Sequence, residues 1–241
     1  MEQNDRKPKT VVLLIVIVGV LIALGFIGYR FFMVESVTIK GNSYYTSSEI
    51  AELAAIPRNT HIFTLDEAKI KKNIEADPRV VVDSIDYVFP NGIEITVRER
   101  FPAAFVEFGG EDYILSNDLI VLDDEESDES VIPVLKGMGV QSASLGEVLE
   151  ADDSYKVSVA SGILTASLHN DVLKEYREID LSDTNTVMLE TRVGLKINFG
   201  QGDNYEEKTE WISKMIESLA KEGVNKGTID VSSGKFATFR P

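Results

Sequence analysis

The chain has 241 residues, with 40 Asp and Glu against 24 Lys and Arg, a formal net charge of -16, and no cysteine. Acidity of that size repels nucleic acid and other polyanions, which excludes them as partners. The missing thiols exclude disulfide staples and cysteine-based metal sites.

The first element is the apolar run VVLLIVIVGVLIALGFIG, from Val11 to Gly28, in which no side chain is charged. As a helix rising 1.5 Å per residue it covers about 27 Å, close to the roughly 30 Å hydrocarbon layer of a bilayer. Ala23 and Gly25 imitate a small-x-small cleavage site, but the apolar core of a signal peptide is only about 7 to 15 residues long. Here the apolar character continues through Tyr29, Phe31 and Phe32. A buried core helix is rarely apolar on every face. The segment is therefore read as a single membrane span. Arg6, Lys7 and Lys9 precede it and the sparser Arg30 and Lys40 follow, which by the positive-inside tendency keeps the N-terminus cytoplasmic. Everything after about residue 33 is then expected outside the cytoplasm, in a portion long enough for one or two domains with real cores.

VESVTIKGN alternates Val37 and Ile39 with Thr38 and Lys40 and stops at Gly41, a strand ended by a turn. In TSSEIAELAAI, Thr46 and Glu49 have capping-box spacing, and Ile50, Leu53 and Ala54 recur on one helical face ahead of Pro57. TLDEAKIKKNIEADP repeats the pattern, with Thr64 and Glu67 placed to cap and Ile70 and Ile74 four apart. VVVDSIDYVFPNGIEITVRER offers two strands joined at Asn91-Gly92, a dipeptide suited to the positive φ of a tight hairpin, with Ile93, Ile95 and Val97 on one face. Strand, helix, helix, strand, strand predicts two helices on one face of a three-stranded sheet.

This order, from VESVTIKGN to YVFPNGIEITVRERFPAAF, resembles a POTRA domain. Further pieces, DYILSNDLIVLDDEE, IPVLKGMGV, VGLKINFGQGDNYEEKTEWISKMIESLAKEG and GTIDVSSGKFATFRP, together with the single N-terminal span, resemble the FtsQ/DivIB family of bacterial cell-division proteins from about Arg6 to Pro241. The resulting fold class is α+β: a cytoplasmic tail (1–10), a transmembrane helix (11–32), a POTRA domain with βααββ order (33–101), and an FtsQ/DivIB-type β domain (102–241) in which an antiparallel sheet is covered by helices.

In the last of these, AAFVEF, YILS, LIVLDD, TVMLE, LKINF, GTIDVSS and FATFR read as short strands separated by Gly, Asn and Asp. SYKVSVASGILTASLHNDVL is a helix diluted by Val157, Val159 and Gly162. DNYEEKTEWISKMIESLAKEG is a strong helix, with Asp203 and Glu206 at capping-box spacing, Ile212, Met215, Ile216 and Leu219 on one face, and Gly223 at the stop.

Several patterns imitate chemistry and lack its remaining parts. Gly200 and Gly202 begin like a dinucleotide fingerprint, but Tyr205 holds the third glycine position and Asp203, Glu206 and Glu207 crowd the place of a pyrophosphate. Ser232 to Lys235 fits the Ser-x-x-Lys of penicillin-interacting enzymes, yet it falls between two strands where those enzymes use a helical turn. The acidic run Asp123 to Glu129 lacks the glycine and alternating ligands of a calcium loop. No catalytic, cofactor or metal site is expected, and the chain is not read as an enzyme.

The resemblance implies a membrane-anchored scaffold of the divisome at the septum. Its implied partners are FtsL-like and DivIC/FtsB-like single-span coiled-coil proteins and septal penicillin-binding proteins, with the C-terminal part of the second domain engaging the coiled-coil pair. GTIDVSS and KFATFRP, joined at Ser233-Gly234, place the last run at a sheet margin, so the expected partner-binding residues are Ile229, Val231, Phe236, Ala237, Thr238 and Phe239. Phe236 and Phe239 are expected on opposite faces. Two other classes compete: a POTRA-bearing export component, which would ordinarily carry several such modules or barrel strands of about ten residues, and a cell-envelope enzyme.

Overall fold

The computed structural model describes residues 6–123 and 131–241, and the chain divides between Glu99 and Arg100 into two units. In the first, α1 (Arg6–Phe31) includes a stretch, Val11–Phe31, of 21 residues long and apolar enough to cross a membrane. The side chains of Val11–Phe31 are exposed on every face, a surface that suits lipid and not water.

β1 (Ser36–Lys40), α2 (Ser47–Ala54), α3 (Glu67–Ile74), β2 (Val80–Val88) and β3 (Gly92–Glu99) follow in the expected order. The sheet order is β1-β3-β2, with β1 parallel and β2 antiparallel to β3. Ile50 of α2 and Ile70 and Ile74 of α3 are buried with Ile93, Ile95 and Val97, the alternating face of β3. Burying each such side chain is worth about 1.5–3 kcal/mol, so the helical and strand periodicities converge on one core.

Local chemistry follows the expectation at α2 and departs from it twice. At α2 the capping box is complete: Glu49 N donates to Thr46 Oγ1 at 3.3 Å and Thr46 N to Glu49 Oε2 at 2.7 Å. At α3 the cap is Asp66, which accepts from Lys69 N at 3.0 Å; Thr64 instead closes a 3-10 turn, its hydroxyl donating to His61 O at 2.9 Å. The β2–β3 turn runs through residues 89–91 and contains a cis Phe89–Pro90 bond, and Gly92 already begins β3 without positive φ. The glycine serves close approach, since a Cβ there would lie 2.7 Å from Ser36 Oγ of β1.

The second unit holds β4 (Ala104–Phe108), β5 (Glu111–Leu115), β6 (Val121–Asp123), β7 (Val134–Lys136), β8 (Val140–Ser142), β9 (Glu150–Ala151), α4 (Ser154–His169), β10 (Tyr176–Asp180), β11 (Val187–Thr191), β12 (Lys196–Gly200), α5 (Tyr205–Lys221), β13 (Thr228–Asp230) and β14 (Thr238–Arg240). Nine of the strands form one sheet in the order β14-β13-β12-β11-β10-β7-β4-β5-β6, and β8 pairs with β9 apart from it. The sheet is mixed, not purely antiparallel: β4–β7, β7–β10 and β12–β13 are parallel. Parallel neighbours need a long crossover, and α4 lies in the one from β7 to β10 while α5 makes the one from β12 to β13. Both crossovers step the same way along the sheet, which brings the two helices together on one face. Asn170 Nδ2 donates to Thr209 Oγ1 at 2.8 Å across that contact.

Gly162 sits inside α4 because the Tyr205 ring occupies the space of a side chain, 2.6 Å from where a Cβ would stand. The expected Asp203/Glu206 capping box does not form; the residue before α5 is Asn204, with φ 47° and no side-chain cap. Lys208 is the reason. It is fully buried, its ammonium over the Phe199 ring, and it must find acceptors: it donates to Gln201 O at 2.9 Å and takes the Asp203 carboxylate for itself.

Candidate partner-binding edge

A sheet exposes unpaired backbone groups only at its margins, and the two margins of the nine-stranded sheet are built differently. At β6, Val121 N donates to Glu147 O and Gly146 N to Val121 O, both at 2.9 Å, and Leu149 N donates to Leu119 O at 2.9 Å. A loop of the chain thereby closes that margin. β14 is the other margin, and among the described residues no strand lies beyond it.

The ladder shows which groups of β14 face outward. Lys196 N donates to Gly227 O and Val231 N to Asn198 O, each at 3.0 Å, a parallel pattern in which Ile229 directs its own N–H and C=O toward β12. Thr228 and Asp230 therefore direct theirs toward β14, where the register pairs them with Arg240 and Thr238. Phe239, opposite Ile229, is left with its N–H and C=O pointing away from the sheet.

The six expected residues divide accordingly. Ile229 and Val231 are fully buried and offer no side-chain surface, so their place in the expected site is corrected to core. They are inward positions of a strand that has sheet on both sides, which the alternation in GTIDVSS cannot distinguish from an edge. Phe236 is 55% exposed, Thr238 is exposed, and Ala237 and Phe239 are half-buried against the core. β14 is three residues long, and Phe236 precedes it, so an opposite-face relation between Phe236 and Phe239 does not arise from strand alternation.

The shortening has a local cause in the turn that carries Ser232 and Lys235. Gly234 N donates to Val231 O at 2.9 Å and Lys235 N to Ser233 Oγ at 3.3 Å, while Gly234, at φ +68°, lies against Asn204. Asp230 anchors the same turn by accepting from Ser232 Oγ at 2.7 Å, Ser232 N at 3.0 Å and Asn198 Nδ2 at 3.1 Å. The Ser232 hydroxyl foremost holds the Asp230 carboxyl below the ordinary aspartate range, against the opposing effect of burial. Gly227, at φ +129°, closes the other end: a Cβ there would lie 2.6 Å from both Arg240 O and the Phe239 ring. Beyond Asp123, the acidic run to Glu129 lies outside the described residues.

Sequence reading missed the closed β6 margin and the burial of Lys208. Neither has a periodic signal: the covering loop mixes Leu145, Val148 and Leu149 with Ser144, Gly146 and Glu147 in no regular alternation, and one lysine on an amphipathic helix reads as solvent-facing.

Residues 32–100 match the family model described as POTRA domain, FtsQ-type. Over 237 residues the chain is 24% identical to cell division protein DivIB of Clostridium botulinum (strain Hall), covering 96% of this chain and 90% of that protein. It is 28% identical over 242 residues to cell division protein FtsQ of Streptomyces venezuelae, with coverages of 95% and 86%. Against FtsQ of Syntrophotalea carbinolica it is 24% identical over 194 residues, covering 78% and 67%. The first unit thus carries a POTRA domain of FtsQ type, and over most of its length the chain resembles the FtsQ/DivIB cell-division proteins, as its sequence elements predict.

Proposed function

We propose that this protein is a non-enzymatic scaffold of the bacterial divisome, held in the cell membrane by α1 with its N-terminus cytoplasmic and both folded units outside, and gathered at the septum. Its partners in this reading are FtsL-like and DivIC/FtsB-like single-span coiled-coil proteins and, through them, septal penicillin-binding proteins. Confinement to the membrane plane raises the effective concentration of such partners, so weak contacts suffice.

The observation that carries the reading is the open β14 margin, where the outward N–H and C=O of Phe239 and the exposed Phe236 and Thr238 form an edge able to accept a strand or an extended partner segment. The test separates backbone from side chain. Phe239→Ala removes the ring and keeps the outward N–H; Phe239→Pro removes both, and proline is tolerated where an edge N–H faces outward. In co-purification of the full-length chain from membranes with the coiled-coil pair, the proline variant is expected to bind about tenfold more weakly than the alanine variant, about 1.4 kcal/mol. Equal binding by the two variants would remove the edge from the proposal and move the search to the POTRA helices.

A further inference from the structure

Residues far apart in sequence bring their aromatic rings together at one end of the POTRA domain. Tyr29 stacks on His61 at 4.7 Å between centroids, Phe32 lies 5.4 Å from Phe63, Phe63 lies 5.7 Å from Phe89, and Phe89 lies 6.2 Å from Tyr87. This is not a core. Phe63 is 63% exposed and Phe89 60%, on two separate loops.

The position of those loops is fixed by backbone bonds to the residues that leave α1. Ile62 N donates to Phe32 O at 2.9 Å, Val34 N to Thr60 O at 2.9 Å, and Glu35 N to Asn91 O at 2.8 Å. The stretch long and apolar enough to cross a membrane ends at Phe31, so, on the membrane-anchored reading proposed above, both loop tips are tied within a few residues of the end of the span. Aromatic rings are favoured at that depth, where an apolar body meets the headgroup layer. A contiguous patch of exposed rings also needs a covering surface, and the bilayer is the one that its continuity with α1 provides. Glu35, bonded to Asn91, and Glu67, which accepts the Tyr87 hydroxyl, border the patch and limit its immersion to the tips.

We infer that Phe63 and Phe89, with Tyr87 beside them, dock the POTRA domain onto the lipid leaflet from which α1 emerges, so that the domain rests on the membrane at a fixed tilt and does not swing on the 32–35 segment. The occupant is the headgroup and upper acyl region of the same bilayer.

The test uses the full-length chain reconstituted in phosphatidylcholine vesicles containing phosphatidylglycerol, with Trp211→Phe as background. Phe63→Trp and Phe89→Trp are each compared with Tyr44→Trp, an exposed position past the far end of β1. Lipids brominated high on the acyl chain are expected to quench most of the emission of the first two and little of the third. Two results would overturn the proposal: quenching at 63 and 89 no greater than at 44, or tryptophans at 63 and 89 that are shielded from aqueous iodide yet untouched by brominated lipid, which would mean that a protein surface covers them. The two loops report independently, so a misfolded variant at one leaves the other decisive.

Discussion

The two margins of the nine-stranded sheet face the same physical problem and answer it in opposite ways. At β6 the loop that contains Glu147 and Leu149 returns to take up the backbone groups of Val121 and Leu119, and Leu149 itself is buried at 1% exposure. At β14 the outward N–H and C=O of Phe239 are left open, beside an exposed Phe236. An open edge is a hazard for aggregation unless it is short or has a partner. β14 is short, three residues, and the turn before it is held by Asp230 and the Ser233–Gly234 bend. The difference teaches that one margin is part of the fold's stability while the other leaves backbone groups open on a short strand.

The most damaging way to break the comparison is at the closed margin. Leu149→Ala removes a fully packed side chain that holds the covering loop in the core, and is expected to cost about 2–5 kcal/mol. It is read as a fall in the chemical-denaturation midpoint of the second unit in the detergent-solubilised chain. Phe236→Ser at the open margin, where the ring is exposed, should change the same midpoint by no more than about 0.5 kcal/mol. Comparable losses at both sites would mean that the turn before β14 is as structural as the β6 cover.

Amide hydrogen exchange sharpens the contrast at the level of single bonds. Val121 and Phe239 occupy outermost strands, and the first donates to Glu147 O while the second faces away from its neighbour. Since a net hydrogen bond contributes roughly 0.5–1.5 kcal/mol, the Val121 amide should exchange about tenfold more slowly than that of Phe239 once intrinsic rates are divided out. Thr238 and Arg240, paired with Asp230 and Thr228, should be protected relative to Phe239. Protection at 239 with fast exchange at 238 and 240 would show that the register is shifted by one residue, and with it the face offered to a partner.

Much of this fold was legible because its signals were local. The Thr46–Glu49 box, the alternation of Ile93, Ile95 and Val97, and the apolar face of α5 each required only a window of a dozen residues. β7 and β10 were not legible, although they lie in the middle of the sheet. Val134–Lys136 is three residues long, and in Tyr176–Asp180 a register shift between Tyr176 and Glu178 breaks the period-two alternation. The α5 cap failed for a tertiary reason, the demand of the buried Lys208 for Asp203. The candidate edge was legible in its place but not in its detail. Chain order put the last run at the margin, whereas which backbone groups face out depends on the parallel β12–β13 register, which the residues of GTIDVSS alone do not encode. That register is what makes Phe239 the decisive substitution.

The smallest expected effect concerns acid. Asp230 lies at the end of β13, and its carboxylate accepts from Ser232 Oγ, Ser232 N and Asn198 Nδ2, with Arg240 Nη2 at 3.9 Å. The Ser232 hydroxyl is the foremost of the contacts that lower its pKa in the folded chain below the ordinary value of about 4. A depressed folded pKa means that the unfolded turn binds the proton more tightly, so the contribution of Asp230 is fully present above about pH 4 and is lost as the pH falls through the lower folded value. Protonation leaves Ser232 N and Asn198 Nδ2 with a weaker acceptor and loosens the turn that presents β14. The β6 margin is closed by backbone carbonyls at Val121 and Glu147, which do not titrate. Amide protection at Thr238 and Arg240 should therefore hold from pH 6 to about pH 4 and fall only below it, while that at Val121 changes less, and Asp230→Asn should show the loosened state already at pH 6 with a flattened pH response. If the wild-type protections at 238 and 121 fall in parallel and Asp230→Asn leaves both unchanged, the open margin is held by the β13–β14 ladder alone and the carboxylate has no part in it.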